Sequence, residues 1–367
     1  MKRIYVIILI TAIWIGCADD DGKLNPSDIA EFEYKIPQGN HDYDERIVDW
    51  FERCGFYILY KFEPRDVYFN VDSEWAESYS DTTYTTTIYE IGPMCYVRND
   101  TAFIQTSPTW SVVWPLGNQR FNDYSWYERS ATETHVYSTY VVTKAMGTYL
   151  VDFSEESYVG KQLEWAEEMF LKFYPDDLLR AKMPLKLILG SRVRAKWSSL
   201  SRNLTEYSYY TYFSELLLSH GDESLDALTA SEKNTIKADV NKWFCQRLGS
   251  LLDLDDFFAV TDYYWIGQSS SPAYEEYYAL GLLAYTTTSQ KDAYEYDFGG
   301  YLQAILSTSY AKLTTEPANG NYNGSDFTGI LHPKKDVNGK IREKYDVIIK
   351  VFRERGVDLQ AIGNLYH

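Results

Sequence analysis

The apolar residues of this chain change period once, and that change constrains the fold more than any other feature. Between about residues 63 and 155 the sequence is rich in Tyr, Thr and Ser, with short β-like runs such as Ser111-Val112-Val113-Trp114. From Val159 the spacing turns helical, through Leu163, Ala166, Phe170 and Phe173, and ends near Pro175. Ahead of the β region, Asp44 to Cys54 reads as a helix with Ile47, Trp50 and Phe51 on one face. Gly55 closes it, and Phe56 to Phe62 follows as a buried strand. Later, Leu185 to Leu189 predicts a short strand closed by Gly190, and Ser214 to Arg247 predicts largely helix, broken near His220-Gly221 and restarted with Ser231 as N-cap. Tyr274 to Leu283 and Asp297 to Ile305 read as helices, Asn319 to Asp336 as an exposed loop, and Ile341, Tyr345, Ile348, Ile349 and Phe352 as one face of a last helix. The expected class is α+β, with a β-rich first half and a mainly helical second half. No period of 20–50 residues repeats, which argues against solenoids and propellers. No linker splits residues 46–367, although a sub-boundary is expected near 155.

Charge narrows the partners. The 367 residues carry 35 Lys and Arg against 53 Asp and Glu, a net charge of −18. A body this acidic repels phosphate backbones, so nucleic acid is not an expected partner. Aromatic residues make up 17% of the chain, 34 of them tyrosine, which disfavours intrinsic disorder.

The first seventeen residues set the compartment. Met1, Lys2 and Arg3 form a basic start, Ile4 to Ile13 an apolar run interrupted only by Thr11, and Trp14-Ile15-Gly16-Cys17 its end. The run is too short for a bilayer span of ~20 residues, so residues 1–16 are expected to be a cleaved signal. Gly16 before Cys17 resembles a bacterial lipobox, with Trp14 departing from its usual leucine. The resemblance implies acylation of Cys17, the site of lipid attachment. Ala18-Asp19-Asp20-Asp21 resembles the acidic export signal that places lipoproteins on the outer face of the outer membrane in gut-type Gram-negative bacteria. Residues 17–45 are then an acidic tether. With Cys17 acylated, Cys54, Cys95 and Cys245 cannot complete a disulfide framework and are expected to be small buried hydrophobes.

The order of pieces in the body carries a family resemblance. A helix leads into Gly55-x-Tyr57-Ile58-Leu59-Tyr60-Lys61-Phe62. Glu168-x-Phe170-Leu171-Lys172-x-Tyr174-Pro175, the Leu185–Leu189 strand and Glu223-x-Leu225-x-x-Leu228-Thr229 follow. Then come Asp255-Asp256-Phe257-Phe258, Gly281-Leu282-Leu283-x-Tyr285 with Asp297-Phe298, and Val357-Asp358-Leu359. Together they resemble the substrate import-associated zinc metallohydrolase lipoproteins, also described as zinc-binding metallopeptidases and encoded beside TonB-dependent import systems. The resemblance implies a zincin-like fold and a zinc cofactor held by H-E-x-x-H on a helix, where two histidines at i and i+4 grip the ion and the glutamate acts on metal-bound water.

Here that motif falls near Lys242-Trp243-Phe244-Cys245-Gln246, placing Lys242 and Gln246 at the ligand positions and Trp243 at the base. No histidine occurs anywhere between His220 and His332, so no shift of register recovers the pair. The family's distal E-D-F-A-E segment matches Tyr296-Asp297-Phe298-Gly299-Gly300, with Gly300 replacing the last glutamate. No zinc and no catalytic residue are expected. His41 with Glu45, His332 with Asp336, and His220 beside Asp222 and Glu223 lack a second histidine, and Asp253-x-Asp255-Asp256 lacks the glycine and trailing glutamate of a calcium loop. The clusters Tyr207–Phe213, Tyr263-Tyr264-Trp265 and Tyr277-Tyr278 offer rings that stack on sugar faces or peptide side chains, and the last five residues are the candidate ligand-binding platform. The expected role is an outer-membrane, surface-exposed pseudoenzyme: an accessory or ligand-binding component of nutrient uptake, partnered by a TonB-dependent transporter with its surface lipoproteins and by a glycan or peptide ligand. The alternatives are an active hydrolase, peptidase or glycan-directed, using other residues, and a purely structural transporter-docking protein.

Overall fold

The computed structural model describes residues 34–62, 82–92, 95–98, 101–106, 109–113, 120–121, 134–142, 149–196, 204–211 and 214–367, with the strands between 82 and 142 described as backbone. The signal 1–16, Cys17 and most of the acidic tether lie outside the described residues. Residues Pro37–His367 form one compact unit. Helix α1 (Asp42–Cys54) buries Ile47 and Trp50 and ends at Gly55, whose φ of 77° is the left-handed cap that glycine supplies without a Cβ clash. The tether was expected to run to residue 45, but Gln38 already accepts hydrogen bonds from the backbone of Tyr60 and Lys61, so the folded part begins earlier.

Strand β1 (Tyr57–Leu59) enters the main sheet. Strands β2 (Thr82–Gly92), β3 (Cys95–Arg98), β4 (Thr101–Thr106), β5 (Thr109–Val113), β6 (Arg120–Phe121) and β7 (Thr134–Val142) make a second, antiparallel sheet in the order β5-β4-β3-β2-β7-β6. Its longest pairing runs from Thr82 opposite Val141 to Tyr89 opposite Thr134. Strand β8 (Tyr149–Phe153), helices α2 (Glu156–Met169) and α3 (Asp176–Lys182), and strand β9 (Lys186–Lys196) return to the main sheet. Strands β10 (Leu204–Tyr207), β11 (Tyr209–Thr211) and β12 (Glu215–Leu218) complete it.

The main sheet turns on β9. Its first half pairs parallel with β1 and β12, and its second half pairs antiparallel with β8 and β10. Leu187, Ile188, Leu189, Leu216, Leu217 and Leu218 have no accessible surface, as continuous apolar runs require when both faces are covered. Gly190 therefore does not close the strand as expected. It sits at the pairing switch, where a Cβ would lie 2.5 Å from Val151 Cγ1 and 2.9 Å from the Asp152 carbonyl. Because β8 pairs with β9, residues just before 155 share a sheet with residues well beyond it.

Two expectations are corrected downstream. Residues Glu215–Leu218 are a buried strand, not helix, because three leucines in a row satisfy either form and the neighbouring β9 selects the strand. After α4 (Ser224–Ala227), helix α5 (Ala230–Leu248) is capped by Thr229, not Ser231, and Glu232 reaches back to the Thr229 N–H to complete a capping box. Helices α6 (Asp255–Ala259), α7 (Tyr277–Leu280), α8 (Gln290–Ser307), α9 (Tyr310–Thr314), α10 (Lys340–Glu354) and α11 (Leu359–Asn364) follow. The expected exposed loop 319–336 is exposed only in its first part: Phe327, Ile330, Leu331 and Lys335 are buried.

Buried polar groups tie the layers. Gln162 of α2 donates to the carbonyls of Gly190, Leu218 and Ser219, and accepts from Ser154 Oγ. On α5, Asn241 donates to Met169 and Lys237 carbonyls and accepts from the Tyr174 hydroxyl. Lys237, without accessible surface, donates to the carbonyls of Leu306, Ile362 and Leu365 at the ends of α8 and α11. Burial pushes its ammonium down to about 7, against an unfolded value of ~10.4. Between those values the unfolded chain holds the extra proton, so stability rises with pH. Wild type is therefore expected to gain stability relative to Lys237→Met as pH climbs from 7 toward 10. Urea midpoints of both proteins at pH 7, 8 and 9 measure this, and a difference that stays flat removes the desolvated ammonium from the account.

Candidate functional site

Helix α5 lies against α8, and Lys242 and Gln246 sit on their contact. Lys242 and Gln246, four residues apart, share one face of α5. That face looks at Gly299 of α8, where a Cβ would lie 3.1 Å from Gln246 Nε2 and 3.7 Å from Lys242 Cε. Gly300 points elsewhere: a Cβ there would lie 2.7 Å from Ala284 Cβ. A helix turns about 100° per residue, so the glycine opposite Lys242 and Gln246 is Gly299, one residue before the position read from the sequence. Trp243 is half-buried off this face, its ring under the Arg247 guanidinium at 5.3 Å.

One turn back, burial pushes the Asp239 carboxyl up, while the Lys242 charge and the Gln303 side chain oppose. Lys242 is pushed down by burial, with Asp239 opposing. Tyr209, on β11, is pushed up to about 12 by burial, with the Asp239 charge adding to it. This donor set does not fit zinc. An ammonium repels the ion and has no lone pair, and the amide of Gln246 is a weak substitute for imidazole. Among the described residues no group of three His, Cys, Asp or Glu side chains is placed to hold a metal ion.

The isolated histidines sit in ordinary surroundings. His41 stacks on Tyr43 at 4.7 Å and contacts Asp44 at the start of α1. His220 bonds to Ser208 and Ser224 and meets the Trp165 ring at 6.1 Å, and burial pushes its imidazole down. Asp253 accepts from the Asp255 N–H at the start of α6. Cys54 and Cys245 are buried free thiols, pushed up by burial to about 11 and about 12.

The five platform aromatics are gathered, but not as an exposed surface. Trp265, Tyr277 and Tyr278 are buried, Tyr263 is half-buried, and only Tyr264 is open, at 52%. Trp265 Nε1 donates to Thr286 Oγ1 and the Thr287 carbonyl, Tyr263 donates to Asp297, and Tyr277 accepts from the Thr286 N–H. Short helix α7 turns Tyr277 inward onto the core formed with Trp265 and Leu282, and buries Tyr278 against Tyr322 and the Lys335 ammonium.

What they support is exposed. Tyr322, half-buried, rests on Tyr277 at 4.8 Å and Tyr278 at 5.3 Å, and lies nearly parallel to Tyr274, with centroids 5.7 Å apart and planes 10° apart. Tyr274 is 55% exposed. Both rings line a cleft of about 630 Å³, with Asn319, Asn321, Asn323, Asp326 and Lys335 among its other walls. The Tyr278 hydroxyl accepts from the Asn323 N–H and the Tyr322 hydroxyl donates to the Leu283 carbonyl, fixing the loop on its aromatic base. Sequence reasoning found the base and missed the rings above it. Tyr274 opens an expected helix and Tyr322 lies in an expected loop, so neither stands out in the sequence.

No protein-family model, curated protein or solved structure matches the chain. Among the described residues no helix is long and apolar enough to cross a membrane.

Proposed function

We propose that this chain is a lipid-anchored protein of the outer membrane, facing the cell exterior, that binds a ligand as an accessory component of TonB-dependent nutrient import and performs no zinc chemistry. The reading takes the α+β body as a zincin-like scaffold whose metal position has been given over to packing. One observation carries it: Lys242 and Gln246 stand together on the α5 face that looks at Gly299, where the family's two histidines would meet their metal. The half-buried Asp239 lies beside them, its carboxyl pushed up by burial while the Lys242 charge and the Gln303 side chain oppose. Cys17 and the acidic residues after it supply the anchor and its export signal in this reading. The open cleft beside Tyr274 and Tyr322 supplies a place for a ligand.

Metal analysis of the purified, full-length lipidated protein tests the proposal. Zinc well below one equivalent per chain is expected, together with no cleavage of a mixed peptide substrate. One tightly held zinc per chain, or turnover that a chelator abolishes, overturns it. Fractionation with proteinase K treatment of intact cells tests the location, and a protein shielded from the protease would oppose surface display.

A further inference from the structure

The cleft beneath residues 317–328 is built for one kind of molecule. A sugar ring has a face of C–H groups and a rim of hydroxyls that both donate and accept. Its complement is an aromatic face ringed by amides. Tyr274 and Tyr322 provide two nearly parallel rings at one wall, and the polar wall is dominated by asparagine. The loop's own turns use only part of these side chains. Asn319 Oδ1 accepts from the Asn321 N–H, and Asn323 Oδ1 accepts from Ser325. Their Nδ2 groups, and the whole amide of exposed Asn321, have no side-chain hydrogen bond among the described residues. Amide groups of this kind both donate and accept, as adjacent hydroxyls need.

The backbone holding these amides is fixed. A Cβ on Gly320 would lie 2.4 Å from the Lys334 carbonyl, and Gly329, at φ 67°, packs as closely on the Thr315 carbonyl. Preorganisation of this sort lowers the ordering cost of binding. The charge of the cleft selects a neutral ligand. Asp326 is held in its ionised form by the Thr328 hydroxyl and N–H. Lys335 is turned to the Asp326 carbonyl and the Tyr278 ring, and burial pushes it down. The chain as a whole carries −18, so uronate, sulfate or phosphate groups are repelled. The lining has no open sheet edge and no arginine cluster, two of the features that recognise peptides, and its asparagine amides match hydroxyls better than the aromatic groove alone would match a proline-rich segment. The larger cleft between α10 and α11, of about 810 Å³, instead carries Asp346, Lys350, Arg353 and Glu354 and no stacked ring pair.

We infer that this cleft binds a neutral saccharide, with the exposed Tyr274 ring, backed by its stack on Tyr322, lying on a sugar face and Asn319, Asn321 and Asn323 holding its hydroxyls. The inference rests on the ligand-binding reading above and names the class of ligand.

Titration calorimetry on the full-length lipidated protein in detergent tests it, with maltoheptaose, xylohexaose, mannohexaose and a galactomannan oligomer as neutral probes. Oligogalacturonate is the charged probe and a tryptic casein digest the peptide probe. At least one neutral probe is expected to bind, and Tyr274→Ala and Asn321→Ala are each expected to weaken it about tenfold or more. Tyr264→Ala, exposed but outside the cleft, leaves the affinity within twofold. Both cleft variants alter exposed side chains, so an unchanged unfolding midpoint shows that they fold. Failure of every neutral probe overturns the inference, as does binding that survives both cleft variants. Peptide binding lost in Tyr274→Ala overturns the saccharide class but keeps a ligand-binding protein. Stoichiometric zinc overturns the non-catalytic reading and leaves the titrations to stand or fall by themselves.

Discussion

Asp297→Asn is expected to lower the unfolding free energy by about 3–5 kcal/mol, because it strands a charge in the core. Asp297 of α8 and Lys344 of α10 are ion-paired with neither side chain accessible to water. The Lys344 ammonium also lies 4.8 Å from the Phe257 ring centroid, 5.5 Å from Tyr263 and 5.6 Å from Tyr301. Burial pushes the Asp297 carboxyl up and the Lys344 ammonium down, each charge opposing the shift of the other. Asparagine keeps the shape and removes the counter-charge. The loss should be largest between the pH at which Asp297 takes up its proton and that at which Lys344 gives its proton up. It should shrink on the acid side, where wild type loses the counter-charge too, and as pH rises toward the lysine's unfolded value. The double variant Asp297→Asn/Lys344→Met should recover most of it, since an apolar side chain of similar volume needs no partner. Urea unfolding followed by tryptophan fluorescence measures both proteins. A single variant as stable as wild type, or a double variant no better than the single, would show that the pair is not isolated from solvent.

Trp265→Ala should cost about 3–5 kcal/mol of stability, the range for removing a large buried aromatic ring. Its neighbours Tyr277, Leu282 and Tyr322 lose a packing surface, and Thr286 and the Thr287 carbonyl lose a donor. Tyr264→Ala, one residue away, should stay within about 0.5 kcal/mol of wild type, since its ring is half open and its hydroxyl bonds only to exposed Glu276. The pair of measurements separates the two roles offered by three adjacent aromatics. Equal, small effects would return Trp265 to the surface role that the sequence suggested.

Helices were the legible part of the fold. Ile47 and Trp50 on α1, and Ile341, Tyr345, Ile348 and Phe352 on α10, are buried as their spacing requires, because a helix's buried face is written in its own sequence at a fixed period. Gly55 marked the end of α1 for the same local reason. The strand Glu215–Leu218 was not legible, since a short apolar run has no period to read and its form is set by β9 alongside it. Gly190 reads as a terminator, yet its lack of a side chain makes room for Val151 and Asp152 where the pairing of β8 with β9 shifts register. In the cleft, Tyr274 and Tyr322 come from separate segments and stack directly, with Tyr277 packed against both and Tyr278 against Tyr322.

The sequence alone determined which chemical groups exist to do any work: no imidazole between His220 and His332, and a lysine and a glutamine four residues apart on α5. It also determined the helical faces, because those depend on near neighbours in the chain. Only the tertiary structure decided which aromatics meet water, that Gly299 rather than Gly300 looks at Lys242 and Gln246, and where a cleft opens. Those properties depend on what a distant segment brings to cover a side chain, and a burial free energy belongs to the contact between segments, not to either one.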